Sequence, residues 1–307
     1  MVQVDLITGF LGSGKTTFIH RYAEYLSRSG KKYMIIENEF GSISVDPMLL
    51  NDLNVPIKDL AGRCMCCSGF DQFRGMLISG AESGCDRILV EPSGIYDVDE
   101  FFTMMNLPAV RECCEIGSII TIEAPDCKAG SDEVDYLMFS QLLAAGSVVV
   151  SKTQLYPENE VEETVSRLQK ALQRRGAEPF PEERIIRKAW DDFTDEDFAW
   201  LAQCGYHIAE HAREELNHQE LFTTSMIVVQ GTEPERLRKQ TEQLFADPET
   251  YGMVLRIKGF ARGTDQTWYE VNCTPGTTMI QPRSVKRGIL VVIGQNLKEE
   301  EIKRLFA

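Results

Sequence analysis

The stretch Gly9-Phe10-Leu11-Gly12-Ser13-Gly14-Lys15-Thr16-Thr17 decides the fold of this chain. It matches the phosphate-binding loop pattern G-x-x-x-x-G-K-[ST]. Residues 2–7 before it read as a strand, and the apolar residues of 18–26 after it have helical spacing. Glycines let the backbone N–H groups face an anion, and the helix adds its positive end. The sequence therefore predicts a nucleoside triphosphate site, with contacts from Gly9, Gly12, Ser13, Gly14, Lys15, Thr16 and Thr17.

Two of these residues have expected roles of their own. The Lys15 ammonium would reach the β- and γ-phosphates, and the Thr16 hydroxyl would bind Mg²⁺. We therefore expect Mg²⁺ as a cofactor.

The composition restricts the partners. The chain has 307 residues, with 47 Asp and Glu against 32 Lys and Arg, for a formal charge of −15. Such a surface repels nucleic acid and anionic membranes. No apolar run approaches the length that crosses a bilayer, and no apolar leader fits ahead of Gly9, so we expect a cytoplasmic protein. In that compartment its nine cysteines would be thiols or metal ligands.

The spacing of apolar runs predicts an α/β fold with two domains. Short β-type runs recur at 33–36, 88–90, 119–122, 148–150 and 226–229, with amphipathic helices such as 160–172 between several of them. This pattern predicts a P-loop NTPase with a mostly parallel sheet flanked by helices. Closely spaced β-type runs follow after about residue 221, so the domains are predicted at 1–215 and 222–307, the second a small α+β domain.

A second motif places three thiols within four residues, at Cys64, Cys66 and Cys67. Thiolates favour Zn²⁺ and other borderline-soft ions, usually with four ligands, so a further ligand would come from elsewhere. The alternatives are buried or incidental cysteines and, with less support, a catalytic thiol. We predict a transition-metal site here.

The two motifs together resemble the CobW family of P-loop GTPases, relatives of the nickel-enzyme maturation proteins HypB and UreG. The family's motifs occur here in the expected order and cover nearly the whole chain. They are the GFLGSGKTT loop, ENEFG at 37–41, CMCC at 64–67 and ILVEPSG at 88–94, followed by segments at 255–260 and 292–297 similar to the family's C-terminal domain.

The resemblance implies a metal-handling GTPase that transfers an ion, Zn²⁺ or Co²⁺, to a client metalloenzyme or cofactor-dependent protein. On this reading Lys15, Glu91 and Gly94 are catalytic, with Glu91 orienting Mg²⁺ through water or orienting the attacking water, and the Gly94 N–H sensing the γ-phosphate. Glu37 is a candidate further ligand of the transition metal. A switch-loop carboxylate that binds backbone or water is an equal alternative for Glu37.

The chain departs from the family where the base would be read. The family carries N-K-x-D there, whereas this chain has Ser151-Lys152-Thr153-Gln154. Base contacts are expected from Ser151, Lys152 and Gln154, but an amide cannot accept the two bonds that a carboxylate accepts from guanine. Guanine specificity is therefore doubtful and ATP is an alternative to GTP. Glu123 likewise stands where relatives tend to carry aspartate.

The leading hypothesis is an Mg²⁺-dependent NTPase that serves as a metallochaperone or assembly factor. One alternative is a nucleotide-dependent regulatory or metal-sensing protein with little hydrolysis. A small-molecule kinase is a third, which would leave the thiol cluster unexplained.

Overall fold

The structure is a computed structural model that describes residues 1–38, 56–60, 69–127, 132–208, 222–283 and 288–306. The chain divides into two compact units, Met1–Glu214 and Glu215–Ala307.

The first unit is built on a parallel sheet, as the sequence predicts. Among its described residues, seven strands pair in the order β3-β2-β4-β1-β5-β6-β7. The parallel strands are short and mostly buried on both faces, which is typical of a sheet covered by helices. The strands are β1 (Val2–Thr8), β2 (Tyr33–Glu37), β3 (Ile57–Asp59), β4 (Arg87–Glu91), β5 (Cys114–Glu123), β6 (Ser147–Val150) and β7 (Ile185–Ile186).

Helices cover both faces of this sheet. On one face, Phe18, Ile19 and Tyr22 of the first helix pack against strand residues that include Ile35 and Leu89. On the other face, buried aromatic and aliphatic residues of the next helices form a second cluster with the alternate strand residues. The helices are α1 (Lys15–Arg28), α2 (Phe70–Glu82), α3 (Val98–Met105), α4 (Pro108–Arg111), α5 (Asp132–Ala144), α6 (Glu158–Arg174) and α7 (Asp195–Leu201).

The second unit is an antiparallel sheet with helices. Its strands pair in the order β12-β11-β10-β13-β8, and β9 pairs in parallel with β10. The run at 226–229, which resembles the parallel strands in composition, falls partly within β8 of this sheet. The elements are β8 (Thr223–Ile227), β9 (Gln230–Thr232), β10 (Met253–Gly263), β11 (Trp268–Thr274), β12 (Thr277–Pro282), β13 (Leu290–Gln295), α8 (Pro234–Ala246), α9 (Pro248–Tyr251) and α10 (Glu299–Phe306).

The helices of the second unit bury their apolar residues on one face of its sheet. Leu237, Leu244 and Ile302 belong to the same buried cluster as Ile257 and Val292. None of the helices in the described ranges of the chain is long and apolar enough to cross a membrane.

Candidate nucleotide and metal site

The phosphate-binding loop lies between β1 and α1, at the carboxyl edge of the parallel sheet. Gly9, Gly12 and Gly14 have φ values of 136°, 79° and 101°, a region that favours glycine. Gly9 also lies against β5, since a Cβ atom there would come within 2.1 Å of the Ile122 oxygen. Gly14 offers no side chain to cap the first N–H groups of α1, so these groups can face an anion.

Lys15 is the first residue of α1 and is buried, with only 4% of its surface exposed. Its ammonium donates to the carbonyl oxygens of Gly9 at 3.0 Å and Phe10 at 3.4 Å. The positive charge therefore lies against the loop that is predicted to hold the phosphates. Of the other predicted contacts in the loop, Ser13 is buried and Thr17 is exposed.

Thr16 and Glu91, both predicted to serve Mg²⁺, are in direct contact. The Thr16 hydroxyl donates to a Glu91 carboxylate oxygen at 2.8 Å. Glu91 is the last residue of β4 and is buried. A hydroxyl and a carboxylate at this separation are hard oxygen donors of the kind that Mg²⁺ prefers, so the residues present fit that ion.

Glu37 is the residue of β2 directly opposite Glu91. The two pair in the parallel register, and the Asn38 N–H donates to the Glu91 carbonyl at 2.8 Å. Residues that are opposite each other in a sheet project to the same face, so Glu37 and Glu91 share the face that α1 covers. The structure thus brings together two buried carboxylates and Thr16 at neighbouring strand ends.

Gly94 lies against the phosphate loop. A Cβ atom there would come within 2.4 Å of the Leu11 nitrogen and 2.7 Å of the Phe10 carbonyl carbon. The Gly94 carbonyl accepts a hydrogen bond from the buried Gln141 amide at 3.4 Å, and the same amide donates to Tyr96 O at 3.3 Å. Gly94 is therefore held in contact with the loop, at the position where the sequence predicts a phosphate sensor.

The segment after β6 contacts the other side of the loop. The Ser151 hydroxyl donates to the Ser13 carbonyl at 2.5 Å. Lys152 has a φ of 57°, and its ammonium pairs with Asp126 at 2.6 Å. Gln154 is exposed. Ser151 therefore braces the loop directly, and Lys152 is held in place by a carboxylate.

The three thiols Cys64, Cys66 and Cys67 lie outside the described residues, so the predicted transition-metal site stays a prediction. Within the described part of the chain, no group of three or more His, Cys, Asp or Glu side chains is arranged to hold a metal ion. Glu37 is the one member of the predicted ligand set that the described ranges include.

Comparison with known proteins agrees with this architecture. The family model for the CobW/HypB/UreG nucleotide-binding domain matches residues 3–178. The chain belongs to this family. The model for the cobalamin synthesis protein CobW C-terminal domain matches residues 224–307.

Individual members of the CobW/HypB/UreG family align over different shares of the chain. The zinc chaperone YeiR of Escherichia coli is 31% identical over 179 residues, which cover 57% of this chain and 51% of YeiR. The zinc chaperone CobW of a Sinorhizobium species is 27% identical over 300 residues, or 85% of this chain and 81% of that protein. The crystal structure of the Zn(II)-bound YjiA GTPase from E. coli matches with a TM-score of 0.45 and 17% identity, over 99% of this chain and 98% of YjiA.

Sequence reasoning missed the loop that follows β5 as part of this candidate site. Asp126 pairs with Lys152, and the buried Cys127 thiol donates to the Leu11 carbonyl at 3.6 Å. Burial raises the pKa of Cys127 to about 12, with the nearby Asp126 and Glu123 carboxylates adding to the effect, so this thiol stays neutral. The signal was present in the sequence, because ligands bind at the carboxyl ends of parallel strands and this loop is one such end.

Proposed function

We propose that this protein is an Mg²⁺-dependent nucleoside triphosphate hydrolase that uses its nucleotide cycle to bind a transition metal ion and deliver it to a client protein. The contact between Thr16 and Glu91 at 2.8 Å, beside Glu37, supports the proposal most strongly. Through this contact the two predicted Mg²⁺ donors lie next to a candidate ligand of the transition metal, at the adjacent ends of β2 and β4.

Lys15, Thr16, Glu91 and Gly94 each have a separate role in the proposed hydrolysis. Lys15 would bind the β- and γ-phosphates, Thr16 and Glu91 would hold Mg²⁺ (Glu91 through water), and Glu91 would orient the attacking water. When bound, Mg²⁺ neutralises charge that develops on the phosphate oxygens. The Gly94 N–H contacts the γ-phosphate, so the segment after β4 responds to hydrolysis.

The metal ion is the cargo. Cys64, Cys66 and Cys67 would supply soft ligands, and Glu37 would add an oxygen donor. Zn²⁺ is the first candidate because several relatives are described as zinc chaperones, and Co²⁺ is the second. A cytoplasmic location, where thiols stay reduced, suits such a site. The client is a metalloenzyme or a cofactor-dependent protein.

The nucleotide is GTP or ATP. Ser151 contributes to the site by bracing the loop at Ser13. Lys152 would pack its stem against a base, whereas an exposed Gln154 offers no carboxylate to guanine. We therefore propose a base preference weaker than that of an N-K-x-D protein.

Single-turnover hydrolysis of GTP and ATP tests the enzymatic part. Glu91→Gln keeps the shape of the side chain and removes its charge, so we expect the rate to fall by about 100-fold or more. Thr103→Ala, which removes an α3 hydroxyl bonded to the Asp99 carbonyl at 2.9 Å, is the control and should hydrolyse like the wild type. A wild-type rate equal to the uncatalysed rate would leave the regulatory binding protein as the better account.

Zinc affinity in the presence of triphosphate and of diphosphate tests the coupling. The wild type should bind Zn²⁺ with different affinities in the two states. Replacing Cys64, Cys66 and Cys67 by serine should abolish both the binding and the difference, whereas Cys85→Ser, a change at a half-buried thiol, should keep them. Equal zinc binding by the triple variant would refute the metal assignment.

A further inference from the structure

Glu123 is a buried carboxyl group that the proposed reaction does not use. It is the last residue of β5 and is 0% exposed. Among the residues that the structure describes, neither of its carboxylate oxygens has a hydrogen-bond partner. A buried ionised carboxyl without such partners is strongly disfavoured, so this side chain needs a physical explanation.

Its position places it beside the phosphate loop. The preceding residue, Ile122, has its carbonyl oxygen against Gly9, and the Glu123 carbonyl accepts a hydrogen bond from the Ser151 N–H at 2.7 Å. Ser151 in turn braces the loop at Ser13. The backbone at Glu123 therefore supports the phosphate-binding loop, through Ile122 at Gly9 and through Ser151 at Ser13.

Two cations act on the Glu123 carboxyl. Lys15 of α1 and Arg167 of α6 both favour its ionised form, and Arg167 is fixed by a bond from its guanidinium to the Ala124 carbonyl at 3.3 Å. On the loop after β5, Asp126 is neutralised by its ion pair with Lys152. The Cys127 thiol of that loop is neutral at physiological pH, as its raised pKa shows.

Burial outweighs the two cations. Desolvation raises the pKa of Glu123 to about 7, although Arg167 and Lys15 act to lower it. With the phosphate site empty, the carboxyl is thus close to half protonated at pH 7. Phosphate groups bound next to Lys15 would add negative charge near Glu123. They would also offset the stabilising effect of the Lys15 ammonium on the ionised carboxyl, so the neutral carboxyl would be favoured further.

We propose that the Glu123 carboxyl takes up a proton from solvent when the phosphates of a nucleotide bind next to Lys15, so that nucleotide affinity depends on pH through this one side chain. The proton goes to a carboxylate oxygen, and the neutral carboxyl then leaves the Lys15 ammonium to the phosphates. The inference rests on the proposed nucleotide site.

The direction of the pH dependence follows from linkage. If the bound state holds more protons than the free state, affinity rises as the pH falls. Above the pKa of the empty state, wild-type affinity should therefore fall by up to tenfold for each pH unit. At pH 7, completing the protonation of a half-protonated group takes up about half a proton for each nucleotide bound.

Isothermal titration calorimetry tests this, with a non-hydrolysable triphosphate analogue and Mg²⁺ between pH 6 and 9. Repeating the titration in buffers of different ionisation enthalpy gives the number of protons taken up. Protons of the nucleotide itself cancel in the difference between wild type and variant. Glutamine is close to glutamate in shape but cannot titrate. We therefore expect Glu123→Gln to take up about half a proton fewer than the wild type at pH 7. We also expect its nucleotide affinity to lack the fall at high pH that Glu123 causes in the wild type.

Two further variants test the role of Glu123 independently of Glu123→Gln. Glu115→Gln is the matched control, because Glu115 lies at the other end of β5, where it accepts a bond from Gln3 at 2.5 Å, and this variant should keep the wild-type proton uptake. Arg167→Met removes a cation that favours the ionised carboxyl, so the midpoint of the pH dependence should move upward. That variant decides the question if Glu123→Gln does not fold.

The outcomes are distinct. Equal proton uptake by wild type and Glu123→Gln, or an unmoved midpoint in Arg167→Met, would overturn the role of Glu123 while leaving nucleotide binding intact. A wild type that binds no nucleotide at any pH would instead overturn the proposed function, and this inference with it.

Discussion

The contact between Gly94 and the phosphate loop makes Gly94→Ala the most informative single substitution. Gly94 does not have a positive φ, so alanine fits its backbone conformation and only space is at issue. The added methyl would lie 2.4 Å from the Leu11 nitrogen, 2.7 Å from the Phe10 carbonyl carbon and 2.8 Å from the Leu11 Cα. Ordinary contacts are about 3.5–4.0 Å, so backbone must move by about 1 Å.

Both elements at this contact are constrained, which sets the size of the effect. Overpacking of this kind costs about 1–3 kcal/mol of stability. A displacement of about 1 Å at a reacting group can lower a rate by about 100-fold. We therefore expect Gly94→Ala to melt at a lower temperature and to hydrolyse nucleotide about 100-fold more slowly in single turnover.

Gly75→Ala is the control for this substitution. Gly75 lies within α2, and nothing lies within 4 Å of the position that its Cβ would take. Alanine should stabilise that helix by up to about 1 kcal/mol and leave nucleotide affinity and turnover unchanged. If Gly94→Ala bound and hydrolysed nucleotide within twofold of the wild type, the segment after β4 would not be coupled to the loop as argued.

Three other substitutions test separate parts of the first unit. Ser151→Ala should lower nucleotide affinity about fivefold to tenfold by freeing the phosphate loop, whereas Ser147→Ala, which loses a bond to the Arg184 carbonyl at the other end of β6, should lower only the melting temperature. Arg87→Met should cost about 3–5 kcal/mol in urea denaturation by leaving the buried Asp5 carboxylate without its cation, with only the Tyr22 and Ser118 bonds, and the loss should shrink as falling pH protonates Asp5. Glu123→Gln should remove a stability loss of about 3 kcal/mol that the wild type suffers as pH rises from about 4.5 to 7, because the raised pKa makes the folded state hold the extra proton in that window; chemical denaturation at several pH values measures it.

The sequence predicted the first unit well because its signals are local. The motif at 9–17 is contiguous, and the strands at 33–36, 88–90, 119–122 and 148–150 are short apolar runs of the kind that parallel sheets require. The family and the fold are confirmed. Composition alone could not show which of the two sheets contains the run at 226–229, because a short apolar run has the same composition in a parallel and in an antiparallel strand.

The supports of the phosphate loop could not be predicted in the same way. In the sequence, Ser151 stands where the family carries asparagine, which indicates only a lost base contact. In the structure its hydroxyl donates a hydrogen bond to the Ser13 carbonyl. Asp126 and Gln141 act through contacts across more than 25 residues of sequence, with Lys152 and Gly94 respectively. No periodicity carries such information, since it depends on which strand ends the topology makes neighbours.

The same topology gives the proposed coupling a physical route. β2 and β4 are adjacent in the sheet although 49 residues lie between Glu37 and Arg87, and their last residues, Glu37 and Glu91, stand opposite each other. Glu91 contacts Thr16 through its side chain and Asn38 through its carbonyl, at 2.8 Å in each case. Under the proposed function, Thr16 and Glu91 would hold a nucleotide-bound Mg²⁺, and the backbone of Glu91 is bonded to Asn38, from which the chain continues in sequence toward Cys64. Glu37 lies opposite Glu91 in the strand register and is also buried, so a change of charge at one carboxyl would act on the other. If both proposed cations bind, we therefore expect occupancy of one site to change the affinity of the other, by the same factor in both directions.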